Sequence, residues 1–166
     1  MLFSRKVVLI GLLVVLGLSA SACNIDVARN DDGTWVITGH TTEAEVSKLL
    51  TDAITHEQVQ NVEVQFHEGY MTASADFTNL SGTHVDTMLF RIDAGVKDQH
   101  LDLVLSDVVW NGDPAQAERV AEWNRNLAAA LEQAGQKNPN SWLMSVAITD
   151  AELTMVWHAE GRRANR

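Results

Sequence analysis

The stretch VEVQFHEGYMTASADF, residues 62–77, decides the fold class. Val62, Val64 and Phe66 alternate with Glu63, Gln65 and His67; Met71, Ala73, Ala75 and Phe77 then alternate with Thr72, Ser74 and Asp76. A period of two places each apolar set on one face, as in a half-buried strand. Between the runs stands Glu68-Gly69, and glycine tolerates the positive φ that a tight hairpin turn demands. Two antiparallel strands with one wet face are expected here.

Working downstream, 79–83 (NLSGT) is a loop and 84–93 a third strand, with Met88, Phe90 and Ile92 inward. Ala94-Gly95 then turns the chain into a fourth strand over 100–110. That strand carries Leu101, Leu103 and Leu105 on one face and Val104 and Val108 on the other, with Trp110 at its end. A sheet with one wet face should alternate cleanly, so a strand apolar on both faces is either covered on both sides or lines a cavity for something greasy.

The period changes on either side of this meander. Upstream, Thr42 and Glu45 have the spacing of a capping box, and Val46, Leu49, Leu50, Ala53 and Ile54 follow at helical spacing, giving an amphipathic helix over 43–56. A short strand, TWVIT at 34–38, precedes it. Downstream of Asn111-Gly112, Asp113 suits a helix cap and Pro114 the first helical position. Val120, Trp123, Leu127, Leu131 and Ala134 line one face of a helix running to about Gly135. After a loop at 137–141, strands at 142–148 and 153–158 are joined by a turn at 149–152. The expected architecture is α+β: two helices on one curved, mainly antiparallel sheet of about six to seven strands, in the order β-α-β-β-β-β-α-β-β. It forms a single domain over 34–160, with a polar tail at 161–166.

The N-terminus carries a different signal. Arg5 and Lys6 precede an apolar run at 7–18, VVLIGLLVVLGL, which is short against the roughly 20 residues that span a bilayer as a helix. Small residues follow, Ser19-Ala20-Ser21-Ala22, and then Cys23. A charged start, a short apolar middle and small residues at a cut site describe a secretory signal over 1–22. The stretch before Cys23 resembles a bacterial lipobox, which implies acylation of Cys23 and a membrane anchor on the extracytoplasmic side of a bacterial envelope membrane. Ala20-Ser21-Ala22 also satisfies the A-x-A pattern of ordinary signal cleavage at the same bond. Cys23 is the only cysteine, so it has no disulfide partner. Residues 24–33 (NIDVARNDDG) are polar and end in turn-formers, so 23–33 is expected to be a short lipidated tether.

Loss of Arg5 and Lys6 with the leader takes the formal net charge from −10 to −12. Such a charge disfavours nucleic acid and bare anionic surfaces as partners, since both are polyanions. The familiar catalytic signatures are missing: no G-x-S-x-G, P-loop, H-E-x-x-H, C-x-x-C or Rossmann glycine pattern. The six histidines, His40, His56, His67, His84, His100 and His158, show no metal-ligand spacing. Asp76, Asp86, Asp93, Asp102 and Asp107 recur along strands and are read as a solvated sheet face. Asn124, amid the apolar stripe of the second helix, is expected to bond backbone. Of the five tryptophans, Trp35, Trp110, Trp142 and Trp157 fall near strand ends, as edge-of-core anchors or as a rim facing a pocket or membrane. No enzyme activity, metal or cofactor is expected.

The order of elements over 34–158, with turns such as His67-Glu68-Gly69-Tyr70, resembles the tubular lipid-binding (TULIP) architecture, and in particular the LmeA-like phospholipid-binding proteins of bacteria. The resemblance implies a helix packed in a bent sheet and an apolar groove for acyl chains. The groove candidates are Leu49, Phe66, Met71, Met88, Phe90, Leu103 and Leu105. All are equally explained as core. The alternative is a non-catalytic protein-interaction module of an envelope complex, with the 84–93 face bearing Thr87, Leu89 and Arg91 as its surface.

Overall fold

The computed structural model describes residues 24–53, 59–78, 83–135 and 140–160. In chain order the elements are β1 (Asn24–Arg29), β2 (Trp35–Thr41), α1 (Glu43–Ala53), β3 (Val59–His67), β4 (Tyr70–Thr78), β5 (Val85–Lys97), β6 (His100–Trp110), β7 (Asp113–Pro114), α2 (Ala117–Gly135), β8 (Ser141–Ile148) and β9 (Leu153–Ala159). The α+β class holds, but the strands form two sheets instead of one curved sheet. A four-stranded sheet runs β1-β2-β9-β8 and a five-stranded sheet runs β3-β4-β5-β6-β7, every neighbouring pair antiparallel. The split arises because β2 pairs with the closing strand β9, so the two ends of the chain build a sheet of their own. Its strand β8 crosses two hairpin tips of the other sheet: Leu143 N donates to Gln99 O at 2.8 Å, and Gly69 N donates to Ile148 O at 3.0 Å.

Three local expectations change. Residues 24–29, expected in the tether, are strand β1, because Ile25 and Val27 alternate with polar neighbours and pair in register with β2. The turn expected at Ala94-Gly95 lies at Asp98-Gln99, both left-handed (φ 50° and 64°), as a type I′ hairpin requires. Ala94 instead packs against the core. Asn111-Gly112 (φ 52° and 87°) is a second such hairpin, so Asp113–Pro114 pair with Val109 and Trp110 as β7 and do not open the helix. The helix start is set by Gln116, whose carbonyl accepts from Arg119 N and Val120 N. The capping box of α1 is present: Thr42 N donates to Glu45 Oε2 at 2.8 Å, and Glu45 N to Thr42 Oγ1 at 3.4 Å. The last part of the helix expected over 43–56, together with 79–82 of the expected loop, falls outside the described residues.

Two bulges fix which side chains face inward. In β6 the register with β5 shifts between Leu89 and Arg91, and Asp107 takes φ 49°. An extra residue in one strand inverts the side-chain phase beyond it. Val108 and Trp110 therefore share the inner face with Leu103 and Leu105, and Val104 is left 44% exposed on the outer one. The strand that reads as apolar on both faces is apolar on one. In β3 a shift between Gln60 and Glu63, with Asn61 at φ 51°, changes the phase of the strand before Val62, which itself packs against the core in step with Val64 and Phe66.

Helix side chains bond β3 and the stretch of β6 that short β7 leaves unpaired. Along β3, Ser47 Oγ accepts from Val64 N at 2.9 Å, and Glu43 Oε1, one helical turn earlier, accepts from Phe66 N. Along β6, the amide of Asn124 acts as a substitute strand: Oδ1 accepts from Leu105 N at 2.7 Å and Nδ2 donates to Leu105 O at 2.8 Å. Unpaired strand edges invite pairing with other chains, and here donors and acceptors on the helices occupy them.

Candidate functional site

Three apolar clusters lie on the inner face of the five-stranded sheet. The first joins Val46 of α1 with Val64, Phe66, Met71 and Ala73, and with Leu143, Ile148, Leu153 and Met155 of the other sheet. The second places Trp123 of α2 on Ala75, Phe77, Met88 and Val108. The third sets Leu127 and Leu131 of α2 on Leu103.

Between them runs a seam of partly exposed apolar side chains along β5 and β6. Phe90 packs against the first and second clusters, Leu105 against the second and third, and Ile92, Ala94 and Leu101 against the first and third. All five are only half-buried. The seam's position follows from the fold: α1 and β8 close the sheet from one side, α2 from the other, and β5 is the middle strand. Among the described residues every buried side-chain N or O atom has a hydrogen-bond partner.

The groove candidates divide around this seam. Phe90 and Leu105 are in it. Phe66 and Met71, cross-strand partners, are buried in the first cluster; Met88, 2% exposed, is in the second and Leu103 in the third. All four are buried core residues. Leu49 lies on α1, but its side chain falls outside the described residues, as do the leader and Cys23. Three seam residues are not among the groove candidates: Ile92 and Leu101, though placed on apolar faces, and Ala94, because Ala94-Gly95 has the composition of a turn.

The outer face of the sheet carries mostly polar side chains, and several of its charges are paired. Arg91 holds Asp93 through Nε (3.0 and 3.1 Å) and lies 3.9 Å over the ring of Tyr70, against which His67 stacks at 4.7 Å. The Asp93 carboxylate holds the Arg91 guanidinium above its ordinary pKa. Asp76 accepts from Asn61 Nδ2 (2.8 Å) and Thr87 Oγ1 (2.9 Å), and these bonds hold its carboxyl below the usual range. Of the expected interaction surface, Thr87 and Arg91 are thus tied down, while Leu89 stays 46% exposed opposite Val109. Among the described residues, no three His, Cys, Asp or Glu side chains are grouped to hold a metal ion.

No protein-family model and no curated protein matches this chain.

Proposed function

We propose that the chain is an exported bacterial lipoprotein, cut before Cys23 and anchored by acyl groups on it, whose domain holds a lipid or another hydrophobic ligand along the seam on β5. The carrying observation is the half-buried apolar line of Phe90, Ile92, Ala94, Leu101 and Leu105 where three clusters meet. A saturated chain laid there gains about 0.8 kcal/mol for each buried methylene and needs no polar partner along its length. The role involves no covalent step, metal or cofactor, and the anchor keeps the seam near its ligand. The TULIP resemblance points the same way.

The test is gentle mass spectrometry of residues 24–166 exposed to total bacterial lipid. A retained, stoichiometric lipid is expected, and Ile92→Trp, which fills the seam, should reduce it. A clean apo mass at every lipid concentration would instead favour the protein-interaction reading, for which the exposed Leu89 on the outer face, paired with half-buried Val109, is the supporting observation.

A further inference from the structure

The four sheet edges are treated unequally. Helix side chains occupy β3 and β6, and β8 bonds to two hairpin tips. All six residues of β1 are exposed. Its register with β2 pairs Ile25 with Gly39, Val27 with Ile37 and Arg29 with Trp35. Cross-strand partners share a face, and β2 pairs Gly39 with Met155 and Thr41 with Leu153, both core residues. Ile25, Val27 and Trp35 are therefore on the core side of the sheet but beyond the core. They are 50%, 58% and 37% exposed. Trp157 links them to the interior, with its ring so close over Gly39 that a Cβ there would lie 3.1 Å from Cζ3. The opposite face of β1 is polar, with Asp26 Oδ2 3.7 Å from His40 Nε2.

The occupant is indicated by where the rest of the chain lies. β1 begins one residue after Cys23. At roughly 3.5 Å per extended residue, Ile25 is within about 7 Å of that cysteine and Val27 within about 14 Å. We propose that the core-side face of the β1–β2 hairpin, Ile25, Val27 and Trp35, rests in the headgroup layer of the bilayer that holds Cys23. This rests on the anchored-lipoprotein reading. The four-stranded sheet then docks on the membrane with no free tether between lipid and fold. Trp35, with the Arg29 guanidinium 5.6 Å from its ring, suits that layer because an indole is apolar with one polar N–H. The hairpin turn carries Asp31 and Asp32, so the contact draws on apolar area and needs no anionic lipid.

The experiment uses the full chain, processed in a bacterium and reconstituted into phosphatidylcholine nanodiscs. Ile25, Asp26, Val27 and Ala28 are changed to cysteine one at a time and spin-labelled, with Ala129→Cys on the exposed face of α2 as reference. The expected result alternates: labels at 25 and 27 lose access to a water-soluble relaxant and gain access to lipid-dissolved oxygen, while 26 and 28 behave as 129 does. If 25 and 27 match 129 in a chain that enters the disc, docking is overturned and the anchor stands. Shielding of 25 and 27 from both water and lipid overturns it in favour of a second copy or another protein on β1. A chain that never enters the disc, with Cys23 unmodified, overturns the anchor and the docking together.

Discussion

Replacing Asn124 by alanine isolates the contribution of a single side chain that stands in for a strand. Its two hydrogen bonds, 2.7 and 2.8 Å, satisfy both backbone groups of Leu105 on the edge of β6. Stranding a buried donor or acceptor costs about 1–3 kcal/mol each. Leu105 and Asn124 are only half-buried, so water takes over part of the loss and the low end of that range applies to each. Alanine returns about 0.5 kcal/mol of helix propensity. The net destabilisation is about 1.5 kcal/mol. With a urea dependence of about 1–3 kcal/mol per molar, the midpoint should fall by about 1 M with an unchanged slope. Asn124→Asp should be worse than alanine: it still accepts from Leu105 N but sets a second carboxylate oxygen against Leu105 O. Arg125→Ala, on the exposed face of the same helix, should stay within about 0.5 kcal/mol of the parent. An Asn124→Ala midpoint indistinguishable from that of Arg125→Ala would refute the reasoning, because water alone would then serve the β6 edge as well as the amide does.

The β6 bulge gives a second prediction. Deleting Asp107 removes the extra residue, so Val108 and Trp110 should stay inward on a regular strand and unfolding should remain cooperative; Asp107→Gly, which suits φ 49°, should be neutral or stabilising by urea melt. Asp76 gives a pH dependence. Its folded pKa is lowered, so its contribution is complete above the unfolded value near 3.8 and is lost as pH falls through the lower folded one. Stability profiles below pH 4 should therefore be shallower for Asp76→Asn than for the parent; parallel profiles would show that the Asn61 and Thr87 bonds do not persist in solution.

What was legible in the sequence was local. The 68–69 turn, the capping box of Thr42 and Glu45, and the inward set of β4 each depend on residues a few positions apart, where composition and spacing act directly. Asn124 was also legible, since an amide inside an apolar stripe needs a backbone partner close by. What escaped was phase and long-range pairing. Nothing in the composition of 106–109 announces a bulge, so Val104 and Val108 could be placed together although they face opposite ways. Strand β1 was hidden by Asp31-Asp32-Gly33, which reads as a linker; the alternation of Ile25 and Val27 was present, but its partner β2 is itself held by β9, more than a hundred residues away. The seam depends on both kinds of fact. Phe90 and Ile92 are in the inward set and Leu101 and Leu105 share one apolar face in the sequence, while Ala94 becomes a seam residue only once β5 is extended to Lys97.

The two open apolar surfaces differ in a way that bears on their roles. The seam is a line of half-buried side chains where three clusters meet on a sheet whose outer strands are contacted by helices, and among the described residues every buried side-chain N or O atom has a hydrogen-bond partner. A long, thin apolar ligand can occupy it without disturbing a hydrogen bond. The β1–β2 surface lies at the far edge of the other sheet, beside the residue proposed to be acylated, and it leaves strand backbone as well as side chains exposed. An acyl chain cannot satisfy that backbone, but headgroups and interfacial water can. One face therefore suits holding a chain and the other suits resting on the layer from which chains are drawn. Filling the seam with Ile92→Trp should leave membrane contact at Val27 unchanged, so each role is separable by a substitution that spares the other.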